Sequence, residues 1–241
     1  MFFEYEKEKP KLLEEIKDLN GDLHIPKGLW RDTIDSYKKE EVLRRLKELI
    51  NNDEIKFPFR EYSLLEVQEE YQRLKTSSES FSKGSWECNR LVRQTDLLYK
   101  GQSLYIPRTA RLGSRASDLF TQAVRMEVGH QRFLSPKRAW ESEKKAFLNY
   151  LFNPDMFEGD INDKALRTAL SMRSYVASQF KPESAKIVYD TFQAKNVLDF
   201  SAGWGDRLVG FLSSNAESYV GIDPNSKLHE PYEKIVVFCV G

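Results

Sequence analysis

Val42, Leu43, Leu46, Leu49 and Ile50 recur at the three- and four-residue spacing of one helical face between charged neighbours. This predicts an amphipathic helix over 38–50, closed by Asn51, Asn52 and Asp53. A second helix is predicted over 64–74. Ser63 precedes it and Glu66 follows three residues on, the pattern of a capping box in which each side chain satisfies a backbone N–H near the other. Residues 77–80 break the period, and 81–107 are mixed, punctuated by Gly84, Gly101 and Pro107, with 103–106 as the best strand candidate. Helical periodicity returns over 116–128, 139–152 and 164–180, the last with Ala165, Ala169, Met172 and Val176 on one stripe and a loop at 153–155 before it. A further helix is predicted over 183–194 from Ala185, Val188, Tyr189 and Phe192.

The period then changes. The run Asn196-Val197-Leu198-Asp199 reads as a short buried strand, Phe200 to Gly205 as a glycine turn, and the residues from Asp206 as a helix, with a second strand over 219–222 ending on Asp223. Gly203 and Gly205 lack a Cβ, so the backbone there can turn tightly and approach a ligand, and the helix that follows points its free amides above the turn. From Asp199 to Asp223 is 24 positions, close to the roughly 20 at which an acidic residue meets ribose hydroxyls in dinucleotide-binding folds. No Lys-Ser/Thr pair follows the glycines, which argues against a triphosphate site with magnesium. Leu208 stands where a third glycine would complete G-x-G-x-x-G, which argues against a nicotinamide enzyme. Each element alone has a plain structural explanation: a G-x-G after a strand is common, an Asp after a strand is ordinary turn chemistry, and Trp204 is read as packing on a neighbouring helix rather than shielding a ligand.

Taken in order, QFKPESAKIVYD, VLDFSAGWGDRL and YVGIDPN resemble the opening of a class I S-adenosylmethionine-dependent methyltransferase, and more narrowly the enzymes that methylate exocyclic amines of nucleic acid bases. The resemblance covers about residues 178–230. It implies S-adenosylmethionine as cofactor, with Asp199, Ser201, Ala202, Gly203 and Gly205 around its methionine portion. It also places Asp223 on the ribose hydroxyls, Pro224 and Asn225 beside the adenine, and Phe180, Lys181 and Pro182 at the carboxylate end. In such enzymes a target base is flipped into the pocket and its amine attacks the methyl group. The Asp/Asn-Pro-Pro-aromatic loop that holds the amine does not occur in this sequence, so no residue is assigned as catalytic. The expectation is the amino-terminal portion of such a domain, whose two strands and crossover helix bury too little alone, because parallel sheets are stable when both faces are covered. A fragment, a subunit completed by a second polypeptide, and a remnant that kept the cradle without catalysis all fit. The apolar stretch 235–240 is open to pairing as a third strand, to lying as a helix, or to being out-of-frame residue.

Charge changes this picture only locally. The 241 residues carry 37 Lys and Arg against 37 Asp and Glu, so net charge points to neither nucleic acid nor membrane. Residues 81–140, however, hold 11 basic against 4 acidic side chains, while 1–80 hold 15 against 19. Arg108, Arg111 and Arg115 would share a face on a helix, Arg125, Arg132, Lys137 and Arg138 extend the charge, and Tyr99, Tyr105 and Phe133 are interleaved. Such a surface can grip phosphates and stack unpaired bases of DNA or RNA. The alternative is that these arginines pair with the acidic helices of 1–80 and the aromatics are core. Cys88 and Cys239 form no metal or disulfide pattern. His24, His130 and His229 lack metal-ligand spacing. The charged amino terminus is unlike a signal peptide, and no apolar run reaches membrane-spanning length. The expectation is therefore a cytoplasmic protein with no metal and no membrane partner.

The reading from sequence is thus an α/β chain, mainly α: a helical domain over 1–160 followed by an incomplete Rossmann-like methyltransferase domain over 161–241. Two other functions fit the same residues, a non-enzymatic interaction or scaffold protein and a methyltransferase acting on protein or a small molecule.

Overall fold

Helix starts follow the local chemistry. In the computed structural model, which describes residues 12–14, 16–17, 23–77, 98–99, 102–103, 112–153 and 159–241, the Ser63 hydroxyl accepts from the Glu66 N–H (3.2 Å). The Glu66 carboxylate in turn accepts from the Ser63 N–H (3.3 Å), opening helix α3 (Leu64–Thr76). The first predicted helix is α2 (Lys39–Asn51), preceded by α1 (Lys27–Ser36) and by a two-residue strand β1 (His24–Ile25). The described chain is mainly helical, and it divides into two compact units, each drawn from two stretches: Met1–Arg60 with Met126–Ala177, and Glu61–Arg125 with Ser178–Gly241. Compactness thus groups the chain differently from a boundary at 160, since helices far apart in sequence share one core.

The first unit buries Ile25, Val42, Leu46, Leu49, Phe147, Leu148, Leu151, Ile161 and Leu166. Its strand β4 (Ile161–Asn162) pairs antiparallel with β1, Ile25 opposite Ile161, and leads into α6 (Asp163–Ser171). Two predicted helices are shorter than their periodicity. The stretch 139–152 is split into α5 (Pro136–Glu141) and a 3₁₀ turn (Ala146–Phe152), because Lys145 lies between them in the left-handed region (φ 41°) with its ammonium donating to the Trp140 carbonyl (2.7 Å). The helix expected over 164–180 ends at Ser171. Beyond it the Tyr175 N–H donates to the Leu134 carbonyl (2.9 Å) instead of to its own helix, and Pro182 disfavours helical backbone at Lys181. Of the predicted stripe, Ala165 and Ala169 are buried while Met172 and Val176 are exposed.

The second unit holds α3 and α4 (Ser114–Met126, its last residue belonging to the first unit). After α7 (Pro182–Thr191) come β5 (Asn196–Asp199), α8 (Asp206–Leu212), β6 (Ser218–Gly221) and α9 (His229–Val240). Its core is Val67, Tyr71, Leu74, Ala116, Leu208, Val209, Ile235 and Cys239. β5 and β6 pair in parallel, Asn196 opposite Ser218 through Asp199 opposite Gly221, with α8 as the crossover. Side chains alternate across this ladder. Asp199 and Tyr219 face the helices. Leu198, Phe200, Val220 and Ile222 lie on the other face and are 66, 81, 57 and 54% exposed. The apolar stretch 235–240 is the end of helix α9, not a third strand. Of the strand expected at 103–106, Ser103 pairs in a short ladder of β2 (Leu98–Tyr99) with β3 (Gln102–Ser103), and 104–106 lie outside the described residues.

Helices α7 and α8 approach closely at Gly210. A Cβ on Gly210 would fall 2.6 Å from the Ala185 Cβ and 2.6 Å from the Pro182 carbonyl oxygen. Gly210→Ala is therefore expected to lower stability by about 1–3 kcal/mol through overpacking. Gly28→Ala in α1, where a Cβ meets nothing within 4 Å, is expected to be neutral or stabilising by up to about 1 kcal/mol. Urea melts of the two variants against the parent check this contrast.

Candidate functional site

The glycine turn is held from below by a carboxylate at the end of β5. Asp199 is buried, and its Oδ2 accepts from Arg207 Nε (2.7 Å) and from the Tyr219 hydroxyl (2.6 Å), while its Oδ1 accepts from the Ser201 N–H (3.2 Å). Burial works against the Arg207 charge, and the Asp199 bond more than restores it, leaving the guanidinium above its ordinary range. Burial, then the bond to Asp199, pushes the Tyr219 hydroxyl well above the phenol range. Asp199 is therefore engaged in joining β5, α8 and β6.

Gly203 and Gly205 both take positive φ (60° and 80°), but their surroundings differ. At Gly205 a Cβ would strike Ile235 Cδ1 at 2.7 Å, so this close approach is made by α9. At Gly203 the nearest atoms to a Cβ are the Ser201 carbonyl oxygen (3.6 Å) and Arg207 Nη2 (3.9 Å), ordinary contact distances, so this glycine is not crowded as Gly205 is. The Asp223 carboxylate reaches the same point. Its Oδ2 accepts from the Gly203 N–H (2.8 Å) and its Oδ1 from the Asn225 N–H (2.9 Å). The Tyr232 hydroxyl of α9 donates to the Gly203 carbonyl. Phe180 is exposed, with the Arg207 guanidinium 5.3 Å from its ring centre, and the Trp204 indole N–H donates to the Ser178 carbonyl (3.1 Å). Phe180, Asp199, Ser201, Gly203 and Asp223 are thus brought together around one turn. Lys181 and Ser201 are exposed beside it, Ala202 and Pro182 are buried, and Pro224 follows Asp223 on the surface.

The sequence reading missed the support on the far side of the turn. The Ser117 hydroxyl of α4 donates to the Asp206 carboxylate, and the Thr121 hydroxyl donates to the Trp204 carbonyl (3.2 Å). Asp118 in the same helix pairs with Arg125 and accepts from the Tyr62 hydroxyl (2.8 Å). Asp206, Ser117, Thr121, Asp118 and Arg125 are all buried. The available signal is the spacing of Ser117, Thr121 and Arg125 four residues apart, a polar stripe that periodicity assigns to solvent.

The basic segment divides differently. Arg115 Nε pairs with Glu70 of α3 (3.0 Å), the pairing expected if the arginines serve the acidic helices. Arg108 and Arg111 lie outside the described residues, as do Tyr105 and Cys88. Cys239 is buried and its thiol is pushed up to about 12 by that burial. Among the described residues no three His, Cys, Asp or Glu side chains gather to hold a metal ion, and no helix is long and apolar enough to cross a membrane. Comparison with known protein families, with curated proteins and with solved structures found no match to this chain.

Asp206 supplies a test of the turn's support. Burial pushes its carboxyl up to about 7; the Ser117 bond opposes this, the Asp118 charge adds to it, and Arg125 and Arg207 oppose it. From its ordinary pKa of 3.8 up to about 7 the folded protein therefore binds one proton more than the unfolded chain. This contribution to stability is complete below the lower value and is lost as pH rises, by about 1.4 kcal/mol per pH unit in that window. Asp206→Asn keeps an acceptor for Ser117 without the charge. Its stability relative to the parent is expected to rise steadily from pH 4.5 to 7 in urea melts; a constant difference would exclude a proton held at Asp206.

Proposed function

We propose that the turn between β5 and α8 is the cofactor cradle of an S-adenosylmethionine-dependent methyltransferase with a Rossmann-like second unit, acting on an exocyclic amine of a DNA or RNA base. One observation carries the reading: the Asp223 carboxylate, 24 positions from Asp199, lies within hydrogen-bond distance of Gly203 at the crossover end of a parallel strand pair. A ligand in an open α/β sheet sits outside the carboxyl ends of the strands, and both Gly203 and Asp223 stand there.

The residues fit the cofactor in three ways. Gly203 has no side chain, and the nearest atom beyond its chain neighbours is 3.6 Å from where a Cβ would stand. Asp223 has two of its lone-pair sites used by Gly203 and Asn225, and a carboxylate offers about four, so it can still accept from a ribose diol. Arg207, stacked on Phe180 and anchored by Asp199, presents a cation to a carboxylate. When bound, the cofactor supplies an activated methyl group; the residues named here bind and orient it. The exposed face of Leu198, Phe200, Val220 and Ile222 supports a second polypeptide completing the domain, since parallel sheets are covered on both faces.

The second reading, an interaction protein whose turn is purely structural, is favoured by Asp199 and Gly205 being engaged within the fold. Calorimetric titration with S-adenosylmethionine and with its demethylated product separates the two. Saturable heat that falls at least tenfold in affinity in Asp223→Ala is expected. A parent protein that melts cooperatively yet gives no heat overturns the cofactor reading.

A further inference from the structure

The first unit holds a second concave feature, unrelated to the glycine turn. A cleft of about 500 Å³ is lined by Glu127, by the loop from Gly129 to Ser135, and by Arg138. Its wall is a tight hairpin in which His130 and Phe133 exchange backbone hydrogen bonds (2.9 and 3.2 Å), so Gln131 and Arg132 sit at the tip. The His130 imidazole lies against the Tyr175 ring, centre to centre 5.6 Å, and the Tyr175 N–H is tied to Leu134 (2.9 Å), which fixes this aromatic pair beside the hairpin. Phe133 is 53% exposed. The Glu127 carboxylate is paired with Lys137 (3.1 Å). The guanidinium groups of Arg132 and Arg138, by contrast, have no carboxylate partner among the described residues. The cleft therefore carries an uncompensated positive charge of two beside exposed aromatic faces.

We propose that this cleft binds a single-stranded nucleic acid segment, with Arg132 and Arg138 on phosphates and Phe133 and the His130–Tyr175 pair offering stacking surfaces to unpaired bases. Guanidinium groups bind phosphate through a planar fork of donors, and base–aromatic stacking is open to any base that is not already stacked in a duplex. An acidic peptide would satisfy the two arginines but leave the aromatic faces without a role. The inference lies beyond the cofactor reading: it concerns the other compact unit and stands if that reading fails.

The test is fluorescence anisotropy of the full chain with a labelled 12-nucleotide oligothymidylate, without S-adenosylmethionine, across a salt series, using the duplex of the same length and poly-glutamate as comparisons. Arg132→Ala/Arg138→Ala is expected to weaken binding about tenfold at low salt and to flatten the log–log salt slope by about 1.4, two phosphate contacts at roughly 0.7 each. Phe133→Ala is expected to weaken binding about fivefold or more with the salt slope unchanged, because stacking releases no counterions. These side chains are exposed, and a cooperative melt shows that each variant is folded; Arg132→Gln alone serves if the double variant is not. Absence of binding by the parent, a double variant that binds as the parent does with the same slope, or displacement by poly-glutamate together with indifference to Phe133→Ala would each overturn the proposal.

Discussion

Burying a carboxylate is costly unless it is paired and hydrogen-bonded, and the second unit is organised around meeting that condition at Asp199. The last residue of β5 collects the Arg207 guanidinium from α8 and the Tyr219 hydroxyl from β6 on one oxygen, and the Ser201 amide of the turn on the other. The strand pair, the turn and the helix are thereby fixed to a single point. Gly203 is left uncrowded above it, and Asp223 is brought to the same place from the end of the second strand.

A second buried carboxylate, Asp206, sits one turn away and is handled by a different route. Among the described residues no guanidinium is bonded to it. It accepts from the Ser117 hydroxyl and holds its proton further up the pH scale. With Thr121 on the Trp204 carbonyl, it docks α4 against the back of the turn, so the left-handed conformations at Gly203 and Gly205 are braced by a helix some 80 residues earlier in the chain. The front of the turn meets α9 through Tyr232 and Ile235. The glycine turn is thus held from α4 on one side and α9 on the other.

Much of the local structure was legible from residue pattern. The capping box at Ser63 and Glu66, the period of α2, the strand–turn–helix–strand order and the tight turn on two glycines follow from spacing and side-chain type, because each depends on interactions within a few residues. The ends of α5 and α6 were not legible. Lys145 and Tyr175 donate their hydrogen bonds to the carbonyls of Trp140 and Leu134, and periodicity carries no information about such partners. The polar stripe Ser117, Thr121 and Arg125 was not legible as a buried support for the same reason: a hydroxyl or guanidinium reads as surface until the group that satisfies it is known.

What the sequence determined by itself is the set of local conformations: where helices begin, where the chain must turn on glycine, and which carboxylates end the two strands. Which charges are spent and which remain was decided by tertiary structure. Arg115 is held by Glu70 and Arg125 by Asp118, while Arg132 and Arg138 line a cleft beside exposed aromatic rings. All four are the same residue in one basic stretch. The difference lies in which carboxylate the fold brings within reach, and that is a property of packing across the chain, not of any window along it.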